Sequence, residues 1–194
     1  MLDELVQTLK SKFPAANVQL HTPTEGVGSS FSVQIASESL HQVCEYLKNE
    51  SPYKFRVLQV ISGVDYLEYF EVCYMLANFD LNRSYELILK VRLTDRIAPT
   101  LDTVSDLWPA ANWQERECFD MLGITFKNHP DLRRILCPDD WEGFPLRKDY
   151  VAAKYYNGMQ VYPDHKMNLE ERSYIIHSKA QSEELQKKSL AKGL

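Results

Sequence analysis

No apolar run in this 194-residue chain approaches the roughly 20 residues that a helix needs to span a bilayer. The start, MLDELVQTLK, is amphipathic and acidic, and it lacks the basic head and apolar core of a secretory signal. The expectation is a protein kept in the cytoplasm, with any membrane association made indirectly through a partner. An excess of positive charge is also missing. The formal net charge is -5, which argues against non-specific nucleic-acid binding, since that is driven by phosphate neutralisation. It argues equally against independent docking on an anionic membrane.

Cysteine is sparse and dispersed. Cys44, Cys73, Cys118 and Cys137 form no C-x-x-C pair, the spacing that iron–sulfur and structural zinc sites normally show. Buried, reduced thiols are expected instead. Glycine is scarce, at seven residues. Neither a G-x-x-x-x-G-K-[ST] loop nor a G-x-G-x-x-G turn is present to cradle phosphates. The G-x-S-x-G elbow and H-E-x-x-H are missing too.

What is present is the patterning of an ordinary globular chain. Leu2, Leu5, Val6, Leu9 and Phe13 recur at helical spacing before Pro14. Val18 and Leu20, then Phe31, Val33 and Ile35, alternate as in strands, with a turn over 22–30. Leu40, Val43, Cys44 and Leu47 form one stripe of a second helix. Three strands are expected next: 55–61, 66–79 and 87–93, separated by turns at 63–65 and 82–84. Short turns favour antiparallel pairing. The fold class is therefore α+β, a mainly antiparallel sheet covered by helices, followed by an extended irregular C-terminal segment.

Asp102 or Thr103 is placed to cap a short helix ending at Trp108-Pro109. A firmer helix spans 113–122, with Asn112 and Glu115 as a capping box and Gly123 at its C-terminal stop. Glu115, Arg116, Glu117 and Asp120 are the best acid–base candidates on the chain. Each also has an ordinary role: Glu115 in the cap, Arg116 and Asp120 as an i,i+4 pair. His129, before Pro130, reads as a loop hydrogen-bonding residue.

The stretch 139–150, DDWEGFPLRKDY, is too irregular for a helix, too interrupted for a central strand and too aromatic for a disordered linker. Arg133, Arg134, Arg147 and Lys148 are interleaved with acids, which favours ion-paired loops or a protein interface over an anion site. By composition, packing on its own sheet and packing on a partner are equally good readings.

A resemblance separates them. The runs Glu115-Arg116-Glu117, Phe119-Asp120-Met121-Leu122-Gly123-Ile124, His129-Pro130-Asp131-Leu132-Arg133-Arg134, Pro138-Asp139-Asp140-Trp141-Glu142-Gly143 and Pro145-Leu146-Arg147-Lys148-Asp149 resemble the C-type, or 30 kDa, subunit family of proton-translocating NADH:quinone oxidoreductase (respiratory complex I). Asp106 to Trp113 and Gly63-Val64-Asp65-Tyr66 are also similar to that family. The resemblance is dense over 106–150. It implies a non-redox structural subunit of the peripheral arm, on the cytoplasmic face of the membrane. NAD, FMN, iron–sulfur clusters and quinone would be bound by other subunits and none by this chain. The implied partners are the large quinone-site subunit (the D-type subunit) and neighbouring cluster-bearing subunits.

The expected organisation is then an α+β domain over 1–123 and a partner-wrapping segment and tail over 124–194. Arg133, Arg134, Trp141, Phe144, Leu146, Arg147, Lys148, Asp149 and Tyr150 are the expected interface residues. Asn112, Glu115, Arg116, Glu117, Asp120, Gly123, His129 and Pro130 are the structural signature. Three rivals stand beside this reading. One is the equivalent subunit of a membrane-bound hydrogenase or ferredoxin-linked quinone reductase. Another is a stand-alone acid–base enzyme using Glu115, Glu117 and His129. The third is a monomeric adaptor that folds completely alone.

Overall fold

The computed structural model describes residues 2–21, 32–79 and 84–161. The turn expected over 22–30, most of that at 82–84 and the tail past 161 lie outside them. The chain divides into two compact units, 1–141 and 142–194.

In the first unit, α1 (Leu2–Lys12) is followed by β1 (Gln19–His21), β2 (Ser32–Ile35), α2 (Leu40–Asn49), β3 (Val57–Asp65), β4 (Phe70–Phe79) and β5 (Ser84–Leu93). The strands form one sheet in the order β1-β2-β5-β4-β3. All pairings are antiparallel except β2 with β5, which is parallel. The parallel pair arises because α2 and the β3–β4 hairpin intervene between the two strands, long enough a crossover to reverse direction.

Apolar periodicity explains the core. Leu5, Val6 and Leu9 of α1, with Val43, Cys44 and Leu47 of α2, are buried against Val72, Tyr74, Leu76, Leu87, Leu89 and Val91. Full burial of each large aliphatic side chain contributes roughly 1.5–3 kcal/mol. Along β5 the alternation is clean: Leu87, Leu89, Val91 and Leu93 are buried, while Glu86 and Arg92 are exposed.

Two boundaries differ from the sequence reading. Gly63-Val64-Asp65 does not turn; it continues β3, and the turn falls at 66–69. The reason is local chemistry. Asp65 Oδ1 accepts the Leu67 N–H at 2.7 Å, and Leu67 takes a left-handed φ of 69°. Arg96 pairs with Asp65 through both guanidinium nitrogens and lies over the Phe70 ring. No short helix forms over 102–108 either. Residues 100–102 make β6 (Thr100–Asp102), parallel to β7 (Thr125–Lys127). Between them runs α3 (Ala111–Leu122), whose Leu122 joins the same core with Ile124 and Phe126.

In the second unit, the described residues 142–161 are tight turns and one hairpin, β8 (Tyr155–Tyr156) with β9 (Met159–Gln160). Asn157 and Gly158 form its two-residue loop with φ of 47° and 77°. Asn-Gly suits such a loop because both positions need positive φ.

Candidate subunit interface

α3 organises the signature residues, but not by capping. The helix begins one residue before Asn112, and Ala110, which precedes it at the cap position, makes no side-chain cap. The expected capping box is absent because Glu115 turns inward. It is fully buried. Its Oε1 accepts the Val104 N–H at 2.8 Å, and its Oε2 accepts the Thr103 hydroxyl. Thr103 in turn accepts the Ser105 N–H at 3.1 Å, so the residue expected to cap a helix ties a loop to α3 instead. Burial pushes the Glu115 carboxyl up to about 7, against the lowering by Thr103 and Val104.

The Arg116–Asp120 pairing does not form either. Arg116 is buried and donates to the carbonyls of Arg133 and Arg134, both at 3.2 Å, with its guanidinium 5.0 Å from the Trp113 ring centre. Asp120 pairs instead with Arg134 at 2.6 Å. Its other oxygen accepts the backbone N–H groups of Ile135, Leu136 and Cys137 at 3.0, 2.7 and 2.8 Å. Burial alone would raise this carboxyl. The Cys137 N–H, the Arg134 guanidinium and the other two amides outweigh it and hold Asp120 below its ordinary range. Arg134 completes the clamp by donating to the Asp120 and Trp141 carbonyls.

His129 fills the loop role expected of it. Its Nδ1 accepts the Asp131 N–H at 3.0 Å, which leaves the proton on Nε2, donated to the Asn112 carbonyl at 3.1 Å. Asn112 thus serves through its backbone. His129 Nε2 and Glu115 Oε2 are 3.9 Å apart, both side chains closed to solvent. Glu117 is exposed and is not brought to them, and Pro130 is exposed as well. Gly123 ends α3 with a φ of 73°, its N–H on the Phe119 carbonyl. All four cysteines are free thiols: Cys44 and Cys118 buried, Cys73 and Cys137 half-buried. Among the described residues, no group of three His, Cys, Asp or Glu is placed to hold a metal ion, and no helix is long and apolar enough to cross a membrane.

The expected interface residues divide between the units. In the first, Arg134 and Trp141 are half-buried, while Arg133 is exposed and pairs with Asp131 at 2.9 Å. Beside them Leu136 is 63% exposed and Trp113 62% exposed. In the second, Gly143 has a φ of 78°, and a Cβ there would meet the Tyr150 ring at 3.0 Å. The Arg147 guanidinium sits 4.7 Å from the Phe144 ring centre. Backbone turns join Arg147 N–H to Phe144 and Tyr150 N–H to Arg147, both at 3.1 Å. Phe144, Asp149 and Tyr150 are half-buried, Lys148 is exposed and Leu146 is 60% exposed. Tyr155 and Met159 of the hairpin are also exposed.

Sequence reasoning gave Thr103 the wrong role, because its partner Glu115 lies on another element, and missed Gln114, which had no pattern to mark it. The β8–β9 hairpin did carry a signal, the Asn157-Gly158 dipeptide.

Comparison with known proteins places this arrangement. Residues 33–156 match the family described as respiratory-chain NADH dehydrogenase, 30 Kd subunit. The chain is 42% identical over 142 residues to the C-type subunit of NADH-quinone oxidoreductase from Roseiflexus castenholzii, covering 69% of this chain and 80% of that protein. It is 35% identical over 168 residues to the corresponding NADH-quinone oxidoreductase protein of Salinispora arenicola, covering 83% and 67%. Its fold matches a chain in the structure of the membrane-bound sulfane sulfur reductase, an archaeal respiratory membrane complex, with a TM-score of 0.63. That likeness covers 86% of this chain and 97% of the other at 22% identity, and it speaks for the fold alone. The family match spans the α3 clamp and the turns that follow it, and the chain belongs to the respiratory-chain NADH dehydrogenase 30 kDa subunit family.

Proposed function

We propose that this chain is a non-redox structural subunit of the peripheral arm of a proton-translocating NADH:quinone oxidoreductase. It supports electron transfer from NADH to quinone without supplying a reacting group. FMN, iron–sulfur centres and the NAD and quinone sites belong to other subunits in this reading. The partners are a large quinone-site subunit of the D type and neighbouring cluster-bearing subunits. The chain sits on the cytoplasmic face and is held to the membrane only through them.

One observation carries the proposal. Irregular backbone is held rigid from beneath while its large apolar side chains face outward. Asp120 and Arg134 fix the backbone at 134–137, and Leu136 there is left exposed. Tight turns fix 144–150, and Leu146 there is left exposed. Ordered apolar groups on the surface are what a partner buries. Of Glu115, Glu117 and His129, the groups an acid–base enzyme would use, Glu115 and His129 are closed to solvent and already hydrogen-bonded, while Glu117 is exposed and apart from them. That disfavours the stand-alone enzyme.

The test is purification of the tagged chain from native membranes in mild detergent. Flavin- and cluster-bearing subunits should come with it in fixed ratio, and recovery of the chain alone would overturn the proposal. The electron-input subunits recovered also separate this reading from a membrane-bound hydrogenase or ferredoxin-linked quinone reductase. Trp141→Ala combined with Arg147→Ala should lower recovery of the partners at least tenfold. It should lower the urea midpoint of the isolated chain far less, because the bond from Arg134 to residue 141 goes to the backbone carbonyl, which the substitution leaves in place.

A further inference from the structure

β3 is the outermost strand of the main sheet, nine residues long. A long outer strand presents unpaired N–H and C=O groups that another strand can join. Proteins usually block such an edge with charge, proline or a short strand. β3 has none of these, and its one irregularity is a bulge between Leu58 and Val60. Its sequence, VLQVISGVD, contains one charged residue, and that residue, Asp65, is buried in its pair with Arg96. Val57 and Val60 are exposed along it. The opposite edge is β1, only three residues long.

What lies along β3 is α3, and its side chains reach the backbone of the strand. Gln114 Oε1 accepts the Ile61 N–H, and Gln114 Nε2 donates to the Gln59 carbonyl at 3.4 Å. One amide side chain thereby makes the donor and acceptor contacts of a neighbouring strand. One turn on, the Cys118 sulfur packs against Gly63, 3.6 Å from where a Cβ would stand. A further turn on, Leu122 packs where a Cβ of Gly63 would be, at 2.4 Å. Residues 114, 118 and 122 share one helix face, so the three contacts step along the strand together.

We infer that α3 stands in for a sixth strand, with Gln114 and Cys118 closing the β3 edge against strand addition by a second copy of this chain. Two β3 edges could pair antiparallel about a two-fold axis, the self-complementary arrangement such an edge permits. The inference rests on the sheet and α3 and is independent of the proposed function.

The experiment uses the full chain, with amide exchange read by NMR and mass by light scattering over a concentration series. In the native sequence the Ile61 amide should be protected although β3 is the outer strand of the described sheet, and the chain should be monomeric. Gln114→Met keeps the length of the side chain and removes both contacts. It should speed Ile61 exchange by about tenfold, the scale of one net hydrogen bond, with core amides such as Leu89 unchanged. It should also produce a dimer that grows with concentration. Adding Val60→Lys to that variant should abolish the dimer while Ile61 exchange stays fast, because the charge blocks pairing without restoring the bond. Three results would overturn the inference: free-amide exchange at Ile61 in the native chain, a Gln114→Met chain that remains monomeric at every concentration, or a dimer indifferent to Val60→Lys. If Gln114→Met fails to fold, Gln114→Ala, which removes the same two contacts with a smaller side chain, is read in its place by the same exchange and mass measurements.

Discussion

Two carboxylates on one helix, five residues apart, are driven in opposite directions by what surrounds them. Glu115 is pushed up from 4.5 to about 7 by burial, and Asp120 is held below 3.8 because hydrogen bonds outweigh the same effect. The folded protein binds the Glu115 proton more tightly than the unfolded chain does. The stability from that proton is fully present below about pH 4.5 and is lost as the pH rises through about 7. A gap of this size corresponds to on the order of 3 kcal/mol. Asp120 has the reverse sign: its contribution is present above 3.8 and is lost as the pH falls. We therefore expect the urea midpoint of the native chain to fall between about pH 4.5 and about pH 7 relative to that of Glu115→Gln, which keeps the Thr103 contact but cannot titrate. Parallel curves for the two proteins would show that the carboxyl does not hold a proton in this window.

Elements with one strong period were legible in the sequence. The stripes of α1 and α2 and the alternation of β5 appear as read, because each depends on nearest neighbours along the chain. The β3–β4 boundary was not legible. Glycine and aspartate at 63–65 look like a turn locally, yet Gly63 sits inside a strand because Leu122, far along the chain, occupies the space of its missing Cβ. The capping box failed for a related reason. Asn112 and Glu115 have the right spacing, but the Glu115 side chain is drawn to Thr103 and Val104 by long-range packing. This suggests a test at the level of the α3–β3 contact. Gly63→Ala should destabilise the chain by about 1–3 kcal/mol through overpacking. Leu122→Ala in the same chain should recover part of that loss, giving a non-additive cycle measured by urea unfolding. Additive effects would mean the two sites do not meet.

At the scale of the whole molecule, the family and its irregular region were legible because they are written in consecutive residues. The clamp was not, because it runs across α3. Arg116 reaches 133 and 134, Asp120 reaches 134–137, and Arg134 reaches 141. The compact unit accordingly ends at Trp141. A fragment over 1–141 should unfold cooperatively in urea, whereas one over 1–123 should lose at least roughly 3 kcal/mol, since it lacks the buried Ile124 and Phe126. Equal midpoints for the two fragments would contradict this. The clamp also sets a timetable. A chain made from its N-terminus completes β3, β4 and β5 well before residues 135–137 leave the ribosome. Until they do, Asp120 lacks the three amides that hold it and α3 is not yet fixed in place. During synthesis the sheet is thus finished before its cover is secured, and that interval is when crowded neighbouring copies have their best opportunity to pair wrongly.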